Sequence, residues 1–406
     1  MELRIDLLLN HLRSDPAKIL RAIDEDPLLI RREISGLVLA NASKLLFTPL
    51  EQHQLYAKGI IYQREPYRLV SLPLIKIYNL GEKEFQHRDL SELAQQSSAK
   101  IRFVEKLDGT MIQRFVHGDR VWFSTRGMLE GLDSRLGVQD EDAPEKLSQF
   151  DYLATARQLA GKYYPILLEP QFERLSLIFE LIHPEARIIT DYKGREDLVL
   201  LAIFDPHNHR YWPLDRVREF GHHYGLSLAP LLAPPGEGLE AQITHLMQSL
   251  QGTDQEGAVI QLENDREVLY RVKVKSPDYL KLFRLMVRCS YRATSEMLAA
   301  FDEVPSWTEF EKYLQSQGSD AVPEEFLGEY RKYYEQYVIR VNECQQIANE
   351  VLAKTLELKK GLESFSDARE KRKDFARRVA TEKYKPLYFS AYDGRLTWQR
   401  VRELLD

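Results

Sequence analysis

The chain has 406 residues, 44% of them hydrophobic, enough for two or three domains with buried cores. A net charge of -6 excludes a protein that coats nucleic acid through bulk positive charge, while leaving room for a local basic patch. No apolar run reaches the ~18 residues of a membrane span, and the opening MELRIDLLLNHLRSD breaks its leucines with charges unlike a signal peptide, so a cytoplasmic location is expected. The 2 cysteines, Cys289 and Cys344, are isolated and support neither a disulfide framework nor a cysteine metal cluster; both read as buried thiols.

In chain order, the first ~45 residues read as a helical layer. Ser14-Asp15-Pro16 is a helix start with Leu20 and Ile23 at helical spacing behind it, and DPLLIRREISGLVLA starts a second helix. From Lys58 to about Tyr78, GIIYQREPYRLVSLPLIKIYNL turns to β-branched and aromatic residues and predicts strands. IRFVEKLDGTMIQRFVHGDRVWFST (101–125) predicts three antiparallel strands, turning at Asp108-Gly109 and at His117-Gly118-Asp119. A helix is expected over 151–163, strands over 175–182 and 197–205, and a short helix from Leu214 to Tyr224. The loop APPGEG, the helix-like LEAQITHLMQSL and two strands, GAVIQL (257–262) and VLYRVKVK (268–275), follow. Beyond Ser276-Pro277 the period becomes helical for good. Phe326, Tyr330, Tyr333, Tyr337, Val341 and Cys344 fall on one face of a long helix, and the tyrosines read as core.

Five strings put charges within or beside apolar strands: EKLDGT (105–110), STRGM (124–128), IFELI (178–182), EGAVI (256–260) and VKVK (272–275). Singly each has a plain structural reading, such as a hairpin turn for Asp-Gly or a solvated edge strand for VKVK. Together they supply an inventory for nucleotidyl transfer. A lysine amine, Lys106, attacks phosphorus only when deprotonated, and nearby cations or burial lower its pKa. Lys273 and Lys275, on one face of a strand, offer those cations and would neutralise a triphosphate. Glu256 and Glu180 offer carboxylates for a hydrated Mg²⁺.

KLDG followed by IFELI, EGAVI and VKVK resembles the ordered motifs of the covalent nucleotidyltransferases, the superfamily of polynucleotide ligases and RNA capping enzymes. The flanks KGIIY, YRLVSLPLIKIYNLGE, FSTRG and FELIHPEARIITDY are most similar to the RNA-ligase-1 family of T-even bacteriophages, from about residue 56 to 285. The resemblance implies an α+β fold: a nucleotidyltransferase domain of ATP-grasp-like antiparallel sheets with flanking helices (1–285, with an N-terminal helical extension over about 1–45), then an all-α C-terminal domain (286–406) that selects RNA. It implies ATP and Mg²⁺ or Mn²⁺ as cofactors. It also implies joining of RNA 3′-hydroxyl and 5′-phosphate ends through AMP linked to Lys106, in a monomer, with nicked tRNA the leading substrate. Site by site, Glu180 would contact the ribose or a metal-bound water, Glu256 would serve the metal, and Lys273 and Lys275 would hold phosphates. Lys58, Lys76 and Arg126 would lie near the nucleotide phosphates, Glu105 would border the nucleotide, and Asp108 and Gly109 would shape the lysine's turn.

The chain departs from the phage pattern in places. Lys58 stands where those members carry arginine, and Arg126 where they carry lysine. The interval between STRGM and IFELI is longer, and the N-terminal helices have no counterpart. The runner-up enzymes, a DNA ligase or a capping guanylyltransferase, share the core but typically place a small β-barrel after the VKVK strand, where this chain has helical spacing. A catalytically inactive RNA-binding relative is disfavoured because Lys106, Glu180, Glu256, Lys273 and Lys275 are all present. The segment 365–385 holds 8 Lys/Arg against 4 Asp/Glu, so Arg372, Lys373, Arg377 and Arg378 are candidate RNA contacts.

Overall fold

The structure is a computed structural model that describes residues 4–43, 50–81, 90–92, 94–95, 99–132, 150–250, 252, 254–301, 303–316, 322, 324–364 and 367–405. They divide into two compact units, Met1–Arg284 and Leu285–Asp406. No helix among them is long and apolar enough to cross a membrane.

The first unit opens with helices α1 (Ile5–Ser14) and α2 (Pro16–Glu25). As the sequence predicts, Asp15 caps α2 by accepting a hydrogen bond from Lys18 N, with Pro16 in the first turn. The second helix expected in DPLLIRREISGLVLA is instead an antiparallel hairpin of β1 (Leu29–Ile34) and β2 (Leu37–Ala42). Ser35 and Gly36 turn it at φ 53° and 75°, a left-handed pair that no helix tolerates. The difference has a physical cause. β2 is buried on both faces, Val38, Ala40 and Ala42 toward α1 and α2, and Leu37 and Leu39 toward Phe115 and Trp122, so the period-2 alternation vanishes.

Strands β3 (Lys58–Arg64) and β4 (Tyr67–Ser71) complete a four-stranded antiparallel sheet in the order β1-β2-β3-β4. The remaining strands of the unit are β5 (Tyr78–Asn79), β6 (Lys100–Lys106), β7 (Thr110–His117), β8 (Arg120–Ser124), β9 (Ser176–Ile182), β10 (Asp197–Asp205), β11 (Arg210–Tyr211), β12 (Ser227–Leu228), β13 (Leu231–Leu232), β14 (Gly257–Glu263) and β15 (Val268–Lys275). They build a sheet β11-β10-β9-β7-β8 with β12 beside β10, and a sheet β13-β6-β14-β15-β5. Helices α3 (Tyr152–Tyr163), α4 (Leu214–His223), α5 (Leu239–Ser249) and the start of α6 (Pro277–Arg288) flank them. The fold is α+β with predominantly antiparallel sheets.

One strand pairing departs from expectation. β7 and β8 form the predicted hairpin, but β6 pairs with β13 and β14, not with β7. Leu107-Asp108-Gly109 is therefore a crossover from one sheet to the next, not a hairpin turn. Gly109 is required by close approach: a Cβ there would sit 2.3 Å from the Leu181 carbonyl oxygen on β9.

The second unit is helical throughout its described residues: α7 (Tyr291–Ala299), α8 (Trp307–Gln315), α9 (Glu324–Lys360), α10 (Ala368–Arg378), α11 (Lys385–Tyr392) and α12 (Trp398–Leu405). Tyr330, Tyr333, Tyr337, Val341 and Cys344 are buried along α9, so the tyrosines are core, as read from their spacing. The Phe326 side chain lies outside the described residues, as do residues 133–149 of the longer STRGM-to-IFELI interval. Both cysteines are buried thiols outside any disulfide.

Candidate active site

Lys106 ends β6, and the register sets it abreast of Gly257 on β14, which in turn faces Lys275 on β15. Gly257 is a glycine for a steric reason, since a Cβ would meet the Val274 carbonyl oxygen at 2.0 Å. That close approach sets Glu256, one residue earlier and only 3% exposed, between the two lysines. Its Oε2 accepts from Lys106 Nζ at 2.5 Å and its Oε1 from Lys275 Nζ at 2.7 Å. The neighbouring sheet brings Glu180 on β9, whose Oε1 accepts from Gly109 N at 3.1 Å. Two strands distant in sequence and one from a different sheet thus converge on the lysine.

Electrostatics reverse one expectation. Burial pulls the Lys106 pKa down, but the Glu256 and Glu180 carboxylates overcome it and hold the ammonium above its ordinary range. A shared carboxylate stands between the Lys106 and Lys275 amines. Glu180 is pushed up to about 8, chiefly by burial, with Lys106 opposing and Glu256 and Asp108 reinforcing the rise. Glu105 is also raised by burial, against the pull of Arg195.

A second cluster gathers cations around Lys58. Lys58 on β3 is driven down to about 8 by burial and by the charges of Arg126, Lys76 and Lys273. Gly59 lies against the Arg126 backbone, which brings the KGIIY strand and the STRGM turn together. Lys76 Nζ sits 4.4 Å above the Tyr78 ring centre. Lys273 and Lys275 leave the buried face of β15 that Val272 and Val274 occupy, as alternation predicts, yet their neighbours differ: Lys273 acts with the cations and Lys275 with Glu256. Four positive charges gathered in one place fit a polyphosphate.

Asp108 is buried and anchors the site. Its Oδ2 accepts from Ile189 N at 2.9 Å and Thr190 N at 2.8 Å, and its Oδ1 from Tyr279 Oη at 2.7 Å. Its own amide donates to Tyr192 Oη at 2.7 Å. Burial and the Glu256 and Asp108 carboxylates raise the Tyr279 phenol, and Lys275 Nζ lies 5.1 Å over its ring. Tyr192 and Tyr279 carried no periodic signal, although both lie in stretches, IITDY and SPDY, next to recognised motifs.

The oxygen donors fit a hydrated divalent cation. Mg²⁺ takes one or two carboxylates and keeps waters and phosphates as its other ligands, and both Glu180 and Glu256 act on Lys106 at close range. Among the described residues no group of three or more His, Cys, Asp or Glu forms an all-protein metal cage.

Of the four basic residues singled out in the helical unit, Arg372 bonds Asp393 at 2.6 Å and Arg378 bonds Asp374 at 2.7 Å, so their charge is largely balanced. Lys373 and Arg377, one helical turn apart on α10, are exposed.

Known proteins are similar to this chain in sequence. A relative from Thermovibrio ammonificans is 30% identical over 172 residues, 42% of this chain and 38% of that protein. The RNA ligase of Rhodothermus phage RM378 is 26% identical over 275 residues, 57% of this chain and 61% of the phage protein. The chain thus spans less than two thirds of the length of either relative. The structure of an archaeal ATP-dependent RNA ligase aligns with 99% of this chain and 98% of that one, at 15% identity and a TM-score of 0.43. An RNA ligase family model, of the T4 RNA ligase 1 type, matches residues 56–279, more than half of the chain and every site residue from Lys58 to Lys275, and the chain belongs to that family.

Proposed function

We propose that the protein is an ATP-dependent RNA ligase that joins a 3′-hydroxyl to a 5′-phosphate through AMP carried on Lys106. The observation that carries this reading is the buried Glu256 carboxylate held between Lys106 and Lys275, with Glu180 arriving from the next sheet. In the first step Lys106 Nζ attacks the α-phosphorus of ATP, an N–P bond forms, the bond from the α-phosphorus to the bridging oxygen breaks, and pyrophosphate leaves. Glu256, already hydrogen-bonded to Nζ, is within reach of the proton the amine must lose. Lys58, Lys76, Arg126 and Lys273 neutralise the triphosphate. Mg²⁺ or Mn²⁺, held by Glu256 with Glu180 nearby, would supply charge neutralisation at phosphate oxygens.

The AMP then passes to an RNA 5′-phosphate, and a 3′-hydroxyl displaces it. Each step is an in-line displacement helped chiefly by positioning and charge. Glu105 borders the nucleotide, Asp108 and Gly109 fix the crossover behind Lys106, and Glu180 meets the ribose or a metal-bound water. The helical unit binds the RNA, with Lys373 and Arg377 as its leading phosphate contacts and Arg372 and Arg378 behind them. A nicked tRNA anticodon loop is the proposed substrate.

The test is ligation of 5′-phosphorylated single-stranded RNA and of DNA of the same sequence, each with ATP or GTP. Sealing of RNA with ATP is expected; sealing of DNA alone, or use of GTP alone, would replace this reading with a DNA ligase or a guanylyltransferase.

A further inference from the structure

The β1–β2 hairpin precedes the matched family region, yet it reaches the cationic cluster. Asn41 on β2 is the register partner of Lys58 on β3, so their side chains leave the same face of the sheet. From there Asn41 Oδ1 accepts a hydrogen bond from Arg126 Nε at 2.8 Å. A second tie holds the same turn: Arg32 Nη1 on β1 donates to the Gly127 carbonyl oxygen. The hairpin is fixed beneath these contacts by Leu37 and Leu39, packed with Phe115, Trp122 and Leu129.

We infer that Asn41 is a positioning residue for nucleotide binding, holding the Arg126 guanidinium beside Lys58 where the triphosphate is neutralised. Two like charges at close range push each other apart, and a bond to a neutral carbonyl oxygen restrains the arginine without cancelling its charge. A carboxylate at this position would restrain it equally and forfeit the charge. Asn41 therefore supplies what neither an apolar residue nor an aspartate can. The inference rests on the phosphate role proposed above for Arg126.

The experiment measures lysine adenylylation from α-labelled ATP by the full chain, with KM and kcat resolved, in the parent, Asn41→Leu, Asn41→Asp, Arg126→Ala and the Arg126→Ala/Asn41→Leu double variant. Asn41→Leu and Asn41→Asp should each raise KM for ATP about tenfold, with kcat changed much less. The double variant should match Arg126→Ala alone, because an absent guanidinium cannot be mispositioned. Should Asn41→Leu fold poorly, Asn41→Ser with the same pairing replaces it. Equal losses from Asn41→Leu with and without Arg126, or a silent Asn41→Leu beside an impaired Arg126→Ala, would overturn the inference alone. A silent Arg126→Ala would remove the phosphate assignment and the inference with it.

Discussion

Replacing Glu256 by glutamine removes one buried negative charge from between two half-buried ammonium groups and leaves the shape intact. At about 3 Å and an effective dielectric of ~20, each lysine's attraction to that carboxylate is worth roughly 5 kcal/mol before desolvation is counted. Breaking a buried pair by deleting one partner costs about 3–5 kcal/mol net, since the remaining charge stays buried and uncompensated. For a unit of this size that corresponds to a melting temperature lowered by roughly 10 °C. The same change removes the stronger of the two carboxylates that hold the Lys106 ammonium above its ordinary range and leaves Glu180 to oppose burial, so its pKa falls. The variant should therefore be less stable in a thermal melt while its Lys106, mapped by peptide mass spectrometry, reacts faster with trinitrobenzenesulfonate near neutral pH. AMP labelling should be lost despite the freer amine, because the group proposed to take the proton and to serve the metal is gone. An unchanged melting temperature together with an unreactive Lys106 would refute the ion-pair reasoning.

Lys58→Met should raise the melting temperature of the nucleotide-free protein, since it deletes a half-buried charge that repels Arg126, Lys76 and Lys273. The folded pKa of about 8 lies below the unfolded value, so Lys58 costs stability in full below pH 8 and progressively less as pH rises from 8 toward its unfolded pKa. The advantage of the variant should shrink over that window; an advantage that grows instead would contradict the assignment, and differential scanning calorimetry across the range decides it. Lys373→Gln with Arg377→Gln should weaken RNA joining several-fold and leave self-adenylylation near parental, as measured in parallel gel assays; equal loss of both would count against a substrate role for that face. Gly257→Ala should destabilise the first unit by several kcal/mol and abolish labelling, because its methyl would overlap the Val274 carbonyl. A urea melt superimposable on the parent's would show that the strands have room that the geometry denies.

β9, β10, β14 and β15, with the helices between them, were legible because each carries its own boundary marks: Ser276-Pro277 after VKVK, APPGEG before α5, and strands with β-branched cores; the two-residue strands β11, β12 and β13 are too short to leave such a pattern. The hairpin of β1 and β2 was not, since a strand covered on both faces has no alternation to distinguish it from a buried helix. Asp108-Gly109 misled for a related reason. A local string shows that the chain bends, but the partner of β6 is β14, more than a hundred residues away, and no turn residue encodes that. The site followed the same division. Motif order identified Lys106, Glu180, Glu256, Lys273 and Lys275, whereas their pairing, with Glu256 lodged between two lysines, depends on strand register. Asn41, Tyr192 and Tyr279 were missed because a single polar side chain leaves no periodic trace until the fold brings its partner near.

The central claim is that Lys106 carries the nucleotide. Incubation with ATP labelled at the α-phosphate and Mg²⁺, followed by peptide mapping of the modified chain, tests it most directly. The label should be acid-stable, should reside on the peptide containing Lys106 and should be absent from Lys106→Ala; AMP found on another residue, or label persisting in that variant, would contradict it.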